Sequence, residues 1–124
     1  MKKIRIITKN YHWEAELYKT QTAEIIWDSL PFEGSATIWG DEIYFTIPVE
    51  IPQEGSAKEI VAVGELGYWF MGNAFCIFFG PTPASSGNEP QAYSPVNVFG
   101  IIRKNITELK KVVGGEQVKV EKAE

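Results

Sequence analysis

Short segments in which apolar and polar residues alternate constrain the fold of this chain more than any other feature. In KIRIITK, Ile4 and Ile6 alternate with charged neighbours. In WEAELY, Trp13, Ala15 and Leu17 alternate with two glutamates. A period of two residues sends successive side chains to opposite faces, which is typical of half-buried β-strands. The chain is therefore predicted to begin with two antiparallel strands.

Further strands are predicted over SATIW, EIYFTIP, EIVAV, FCIFF, VNVFGIIR and EQVKVEK. The first two are joined at Gly40-Asp41, and glycine provides the backbone freedom that a tight turn needs, so they are expected to form a hairpin. Gly64 and Gly67 are interpreted as breaks between strands. Residues 80–95 are rich in Pro, Ser and Gly, which predicts an exposed loop of unusual length.

Two short helices are predicted between these strands. Thr20 is placed to cap TAEIIWDSL, which has four apolar residues on one face and ends at Pro31. Asn105 and Glu108 have the spacing of a capping box at the start of the second helix. With 124 residues, the chain is predicted to be one all-β domain over 1–124. We expect its roughly eight strands to close into a barrel, because closure removes exposed strand edges.

Charge and hydropathy exclude several classes of partner. The net charge is −4, and no Lys/Arg cluster lies among aromatic residues, so nucleic acid is not an expected partner. No apolar run is long enough to span a membrane, and the basic start is followed by alternation rather than by the apolar block of a signal peptide. The expected location is the cytoplasm, without membrane association.

The chain has one cysteine and one histidine, which limits its chemistry. Cys76 has no partner for an internal disulfide and lies within AFCIFF, where we interpret it as a small buried hydrophobe rather than a catalytic nucleophile. With His12 as the only histidine, neither a zinc site nor a Ser-His-Asp triad is expected. No metal and no cofactor are predicted.

The order of these elements resembles that of the cyclophilins. KTQTAEII is similar to the cyclophilin segment that enters the first helix, and VNVFGIIRKNITELKKV is similar to the strand and helix around a Phe-Gly pair. WGDEIYF and GYWFMGNAFCIFFGPTP resemble motifs of a smaller family of prokaryotic cyclophilin-like domains without a settled function. This second resemblance covers nearly the whole chain and implies a cyclophilin-like β-barrel.

The cyclophilin catalytic residues have no counterparts in this sequence. Cyclophilins carry an arginine on the hairpin strand, whereas arginine occurs here only as Arg5 and Arg103, in other elements. Ala74 and Cys76 stand where the resemblance implies a glutamine and a phenylalanine of the proline pocket. No catalytic residue is therefore predicted, and prolyl isomerase activity is expected to be absent or very weak.

Strand alternation nevertheless identifies a candidate surface. If Phe75, Ile77 and Phe79 fill the barrel, Cys76 and Phe78 face outward, as do Trp39, Glu42 and Tyr44 on the hairpin. Aromatic walls with one charged group are typical of ligand pockets. Two residues at the start of the long loop are added, so the predicted ligand site comprises Trp39, Glu42, Tyr44, Cys76, Phe78, Pro81 and Thr82.

Each aromatic group also has a purely structural interpretation. The loop over 81–95 could cover the outer face, and Tyr68 and Trp69 could pack at one end of the barrel. Three functions are therefore considered: a domain that binds a small molecule or a short peptide, including one with proline; an atypical prolyl isomerase; and a structural or oligomerising domain. A concave site favours the first and a flat apolar patch the third. The sequence specifies neither the ligand nor the oligomeric state.

Overall fold

The computed structural model describes residues 2–123 as ten strands, one α-helix and two short 3₁₀ helices. The strands are β1 (Lys3–Ile7), β2 (His12–Leu17), β3 (Phe32–Ser35), β4 (Thr37–Ile38), β5 (Glu42–Thr46), β6 (Lys58–Ile60), β7 (Glu65–Trp69), β8 (Ala74–Phe78), β9 (Gln91–Ile102) and β10 (Gln117–Lys122). Helix α1 spans Gln21–Ser29, and the 3₁₀ helices span Phe70–Gly72 and Ile106–Lys111. The predominance of strands confirms the predicted β-rich class. Residues 1 and 124 of the predicted domain lie outside the described residues.

The strands pair in the order β3-β10-β1-β2-β9-β7-β8-β5-β4, with β6 added to β9. Every ladder is antiparallel. The two end strands, β3 and β4, are separated in the chain by Ala36 alone. Among residues 2–123, however, no ladder joins β3 to β4. The predicted closure of the barrel is therefore not confirmed.

The first predicted helix is confirmed in its position and its cap. The Thr20 Oγ1 accepts a hydrogen bond from the Ala23 N–H at 3.0 Å, and α1 buries Ala23 and Ile26. The predicted capping box at Asn105 is wrong. Asn105 has a left-handed φ of 61° instead of the extended backbone of an N-cap, and its side chain caps nothing. None of the helices within residues 2–123 is long and apolar enough to cross a membrane.

Two apolar clusters lie on opposite faces of β5, β7, β8 and β9. The larger cluster surrounds Phe75, whose ring lies 5.1 Å from that of Phe45 and 5.2 Å from that of Phe99. The smaller cluster consists of Val61, Ala74, Cys76, Phe78, Ala92 and Val96, with Tyr44, Trp69 and Val98 packed against it. The predicted alternation along β8 is confirmed, because its neighbouring residues belong to different clusters.

Two strands, β3 and β7, were not expected from the sequence. Strand β7 contains Gly67, which was interpreted as a break between strands. A Cβ atom at Gly67 would lie 2.7 Å from Val96 Cγ2, so glycine is needed here for the close packing of β7 and β9. The predicted loop over 80–95 is also shorter than expected, because β9 begins at Gln91.

One predicted core position on the hairpin is wrong. Alternation along SATIW places Ala36 and Ile38 on one face and predicts that Ile38 points into the barrel, yet 38% of its surface is exposed. It lies in β4, a two-residue strand at the end of the sheet, where only β5 pairs with it. The hairpin itself is confirmed, because Trp39 and Glu42 exchange backbone hydrogen bonds of 2.9 and 3.1 Å around Gly40, whose φ is 61°.

Candidate functional site

A cavity of about 180 Å³ lies on the side of the sheet that carries the smaller cluster. Its lining residues come from the β4–β5 hairpin, the end of β7, the middle of β8 and the first half of β9. They are Trp39, Glu42, Tyr44, Trp69, Cys76, Ala92, Tyr93 and Val96. The cavity volume is sufficient for a ligand of a few heavy atoms.

The floor of this cavity is formed by Glu42, Tyr44 and Cys76, which the register of β5 and β8 places side by side. Tyr44 on β5 lies opposite Cys76 on β8, and Glu42 is two residues before Tyr44 on the same face of β5. On the other side of β8, Cys76 faces Gly67 of β7. Because Gly67 has no side chain, Val96 of β9 can reach across β7 toward this floor. The small residues therefore leave room between the hairpin and β9.

Three aromatic side chains form the walls and the rim. The Tyr93 ring meets Trp39 edge to face at 6.3 Å and Trp69 at 6.0 Å between centroids. The Trp69 Nε1–H donates a hydrogen bond to Ser94 Oγ at 2.6 Å, which fixes the orientation of its indole. Tyr93 bridges the two tryptophans while 73% of its surface remains exposed. It therefore lies at the mouth of the cavity.

Glu42 is the charged group of the cavity. Only 5% of its surface is exposed, and its Oε1 atom has no hydrogen-bond partner among the described residues. Burial raises the pKa of Glu42 to about 7, and the neighbouring Cys76 thiol opposes this rise by hydrogen bonding. No lysine, arginine or histidine is among the described lining residues. The carboxyl group therefore faces an aromatic cavity without a cationic partner.

Cys76 is a buried thiol rather than a reactive one. Burial, followed by the negative charge of Glu42, raises the pKa of Cys76 well above its usual range. Because the thiolate is the nucleophilic form, a thiol held in this way is unsuited to covalent catalysis. Its contribution to the cavity is a small, polarisable surface beside the Glu42 carboxyl group.

Four of the seven sequence-predicted site residues line the cavity: Trp39, Glu42, Tyr44 and Cys76. The other three are placed differently. Phe78 was expected to form an open wall, but it is completely buried beneath the surface, with its ring near Gly67. Pro81 and Thr82 instead hold the loop in place. The Pro81 carbonyl accepts a hydrogen bond from the Asp41 N–H of the hairpin at 2.9 Å, and the Thr82 hydroxyl donates one to the Gln91 carbonyl at the start of β9.

Sequence reasoning missed the lining residues Trp69, Ala92, Tyr93 and Val96. Trp69 was interpreted as packing at the end of a barrel, and the segment around Tyr93 as a loop. Ladder β6–β9 changes register between Lys58 and Ile60, so strict alternation is lost in the part of β9 that lines the cavity. Consecutive residues Ala92 and Tyr93 both line the cavity, which alternation alone does not predict. A long polar loop with one tyrosine was the only available signal.

Holding a metal ion requires several His, Cys, Asp or Glu side chains in one place. Within residues 2–123, no group of three or more His, Cys, Asp and Glu side chains is arranged to hold a metal ion. The carboxyl group of Glu42 and the thiol of Cys76 are the only members of this set that line the described cavity.

Comparisons with known proteins agree with this architecture. Residues 2–121 match the model of a family described as cyclophilin-like. Six chains of solved structures also match, among them the solution structure of a hypothetical protein from Archaeoglobus fulgidus. That protein is 40% identical in sequence, the alignment covers 98% of this chain and 95% of that one, and the TM-score is 0.83. No curated protein gives a significant match. The match over nearly the full length, together with the β-rich fold, shows that the chain belongs to the cyclophilin-like family.

Proposed function

We propose that this protein is a binding domain for a small ligand and that the cavity beside Glu42 is its binding site. The observation that carries this proposal is a buried carboxyl group, one of whose oxygens has no partner among the described residues, in the lining of a space walled by aromatic rings. Buried polar atoms are nearly always hydrogen-bonded in folded proteins, so an unpartnered one calls for an explanation. A ligand that enters the cavity and hydrogen-bonds to this carboxyl group gives that explanation.

The shape of the site supports ligand binding over a purely structural role. An oligomerising surface is expected to be flat and apolar, whereas this site is concave and contains a carboxyl group at its floor. Its volume of about 180 Å³ suits a small molecule or one side chain of a short peptide. A peptide ligand would therefore insert a single side chain, with the rest of its backbone lying outside near Tyr93.

We propose that prolyl isomerase activity is absent or very weak. Arg5 lies on β1 and pairs with Glu121 at 3.1 Å, and Arg103 follows β9 and pairs with Glu16 at 3.2 Å. Neither guanidinium lines the cavity. Isomerisation needs a donor that stabilises the twisted amide, and such preorganised donors usually make the largest single contribution to catalysis. The lining residues are therefore better suited to binding a ligand than to catalysing prolyl isomerisation.

The indole N–H signals in NMR spectra provide a direct test. The chain contains four tryptophans, of which Trp39 and Trp69 line the cavity while Trp13 and Trp27 lie elsewhere. A screen of small fragments is expected to shift the indole signals of the first pair and leave those of the second pair unchanged. Shifts distributed over all four, or none with any fragment up to about 50 mM, would refute the proposal, since even weak binding is detectable at that concentration.

A matched pair of tyrosine variants strengthens this test. Tyr93→Ala removes the exposed rim of the cavity and is expected to weaken fragment binding with little effect on stability. Tyr11→Ala removes a tyrosine that stacks on Trp13, at 6.0 Å between ring centroids, away from the cavity. Equal binding by both variants would place the fragments outside the proposed site.

A further inference from the structure

The charge environment of Glu42 restricts the kind of ligand that this cavity can hold. Three salt bridges occupy arginine and lysine side chains elsewhere, at Arg5, Arg103 and Lys119. None of the described lining residues is basic, so the carboxyl group has no internal counterion. Burying an ionised carboxylate without a counterion is costly, and a ligand that brings a positive charge removes that cost.

The aromatic walls around Glu42 are also suited to a positively charged ligand. Faces of indole and phenol rings carry a negative quadrupole, which attracts cations, and Trp39, Tyr44, Trp69 and Tyr93 all line the cavity. The remaining walls are apolar and come from Ala92 and Val96, next to the thiol of Cys76. Such walls favour alkyl groups over a strongly hydrated primary ammonium.

Resting on the proposed binding function, we infer that the ligand is a small alkylated ammonium ion, with its nitrogen beside the Glu42 carboxylate and its alkyl groups against Trp39, Tyr44, Trp69 and Tyr93. An ammonium that retains an N–H also donates a hydrogen bond to the Glu42 carboxylate that lines the cavity.

The charge of the ligand determines how its affinity changes with pH. A cation binds the ionised form of Glu42, so its affinity rises with pH until the carboxyl group is fully ionised. A neutral ligand that accepts a hydrogen bond from the protonated carboxyl group shows the opposite trend. The other titratable groups facing the cavity are the Cys76 thiol on β8 and the phenols of Tyr44 and Tyr93 on β5 and β9. Phenols ordinarily ionise only near pH 10, and burial raises the pKa of the Cys76 thiol well above its usual range, so neither kind of group is expected to change charge between about pH 5 and about pH 8.

Two isosteric probes test the charge of the ligand. Choline is compared with dimethylbutanol, the neutral isostere in which carbon replaces the nitrogen atom, by titration of the Trp39 and Trp69 indole signals. At about pH 8, choline is expected to bind at least roughly tenfold more tightly, which is the scale of a desolvated cation–π contact. Trimethylammonium, which retains an N–H, is expected to bind at least as tightly as tetramethylammonium. Choline affinity is expected to fall at least roughly tenfold from about pH 8 to about pH 5.

Two variants test whether the preference for choline arises from the carboxyl group of Glu42. Glu42→Gln keeps the side-chain shape and is expected to remove the tenfold preference for choline while leaving dimethylbutanol binding nearly unchanged. Glu14→Gln, at an exposed position on β2, is the charge-matched control and is expected to keep the preference. Should Glu42→Gln fail to fold, Tyr93→Ala tests the same contacts from the exposed rim and is expected to weaken choline binding more than dimethylbutanol binding.

The outcomes separate this inference from the proposed function. If dimethylbutanol binds as tightly as choline, or more tightly, the ammonium class is wrong although the site binds ligands. The same conclusion follows if the fragment screen yields neutral or anionic ligands while choline and trimethylammonium shift no signal. If no compound of any class shifts the Trp39 and Trp69 signals, both the inference and the proposed function are wrong.

Discussion

Glu42 and Cys76 lie on one face of the adjacent strands β5 and β8, and both side chains are buried beside the same cavity. The two groups affect each other's ionisation in opposite ways: the Glu42 charge disfavours the Cys76 thiolate, whereas hydrogen bonding from the Cys76 thiol favours the Glu42 carboxylate. Burial raises the pKa of Glu42 to about 7, and burial together with the Glu42 charge raises the pKa of Cys76 further. Without a ligand, the floor of the cavity is therefore mostly neutral below about pH 7 and carries the Glu42 charge above it.

The first prediction concerns the pH dependence of stability. The pKa of Glu42 is about 7 in the folded protein and 4.5 for an ordinary glutamate, so the folded state binds more protons between these values. The stabilisation from this group is fully present below 4.5 and is lost as the pH rises through about 7. Between about pH 5 and about pH 8, the unfolding free energy of Glu42→Gln is expected to rise by about 2 to 3 kcal/mol relative to that of the wild type.

Urea titrations of both proteins at the two pH values measure this difference. Other carboxyl groups affect the wild type and the variant alike, so their effects cancel in the comparison. Glu14→Gln, exposed on β2, is the control and is expected to show no such gain. A difference between Glu42→Gln and the wild type that is the same at both pH values would mean that Glu42 titrates normally.

The second prediction separates the core from the site. Phe75 is fully buried and packs against Phe45 and Phe99, so Phe75→Ala is expected to cost about 3 to 5 kcal/mol of unfolding free energy. Trp39 and Tyr44 are only partly buried, so Trp39→Ala and Tyr44→Ala are expected to cost less. Denaturant titrations of the three variants provide the comparison. Equal losses would assign Trp39 and Tyr44 to the core.

Much of this fold could be predicted from local patterns, whereas the complete site depends on contacts between distant segments. Alternation along β5 correctly placed Glu42 and Tyr44 on one face, because that strand has regular pairing with β8. Phe78 is buried in one cluster with Val96, and both side chains approach the position that a side chain at Gly67 would occupy. The position of Tyr93 in the cavity lining depends on the register shift between β6 and β9. Neither relationship leaves a periodic signal in the sequence.

The third prediction tests the space that Gly67 provides. A Cβ atom at this position would lie 2.7 Å from Val96 Cγ2 and 3.0 Å from Val96 Cβ, and Val96 lies in the well-packed smaller cluster. Gly67→Ala is expected to cost about 1 to 3 kcal/mol, the usual range for overpacking, and to weaken ligand binding as Val96 shifts. Val96→Ala removes Cγ2, the closest of these atoms, and is the compensating change.

A double-mutant cycle checks this account of Gly67. The Gly67→Ala/Val96→Ala variant is expected to be more stable than the sum of the two single losses implies, because the added methyl group occupies the space that Val96 vacates. Strictly additive losses in urea titrations would show that the cost at Gly67 arises from the β7 backbone and not from its approach to Val96.

The last prediction is that prolyl isomerase activity is absent or very weak. The barrier to X-Pro isomerisation is about 18 to 20 kcal/mol and arises from amide resonance, so an isomerase must donate a hydrogen bond that strengthens as the amide twists. Arg5 and Arg103 are paired with glutamates outside the cavity, and the lining residues include no other cationic donor. Exchange NMR on Ala-Pro and Gly-Pro peptides measures turnover without a coupled protease. Turnover at cyclophilin-like rates that Tyr44→Ala abolishes would establish an isomerase with a different donor, whereas turnover unaffected by Tyr44→Ala would indicate a contaminating enzyme.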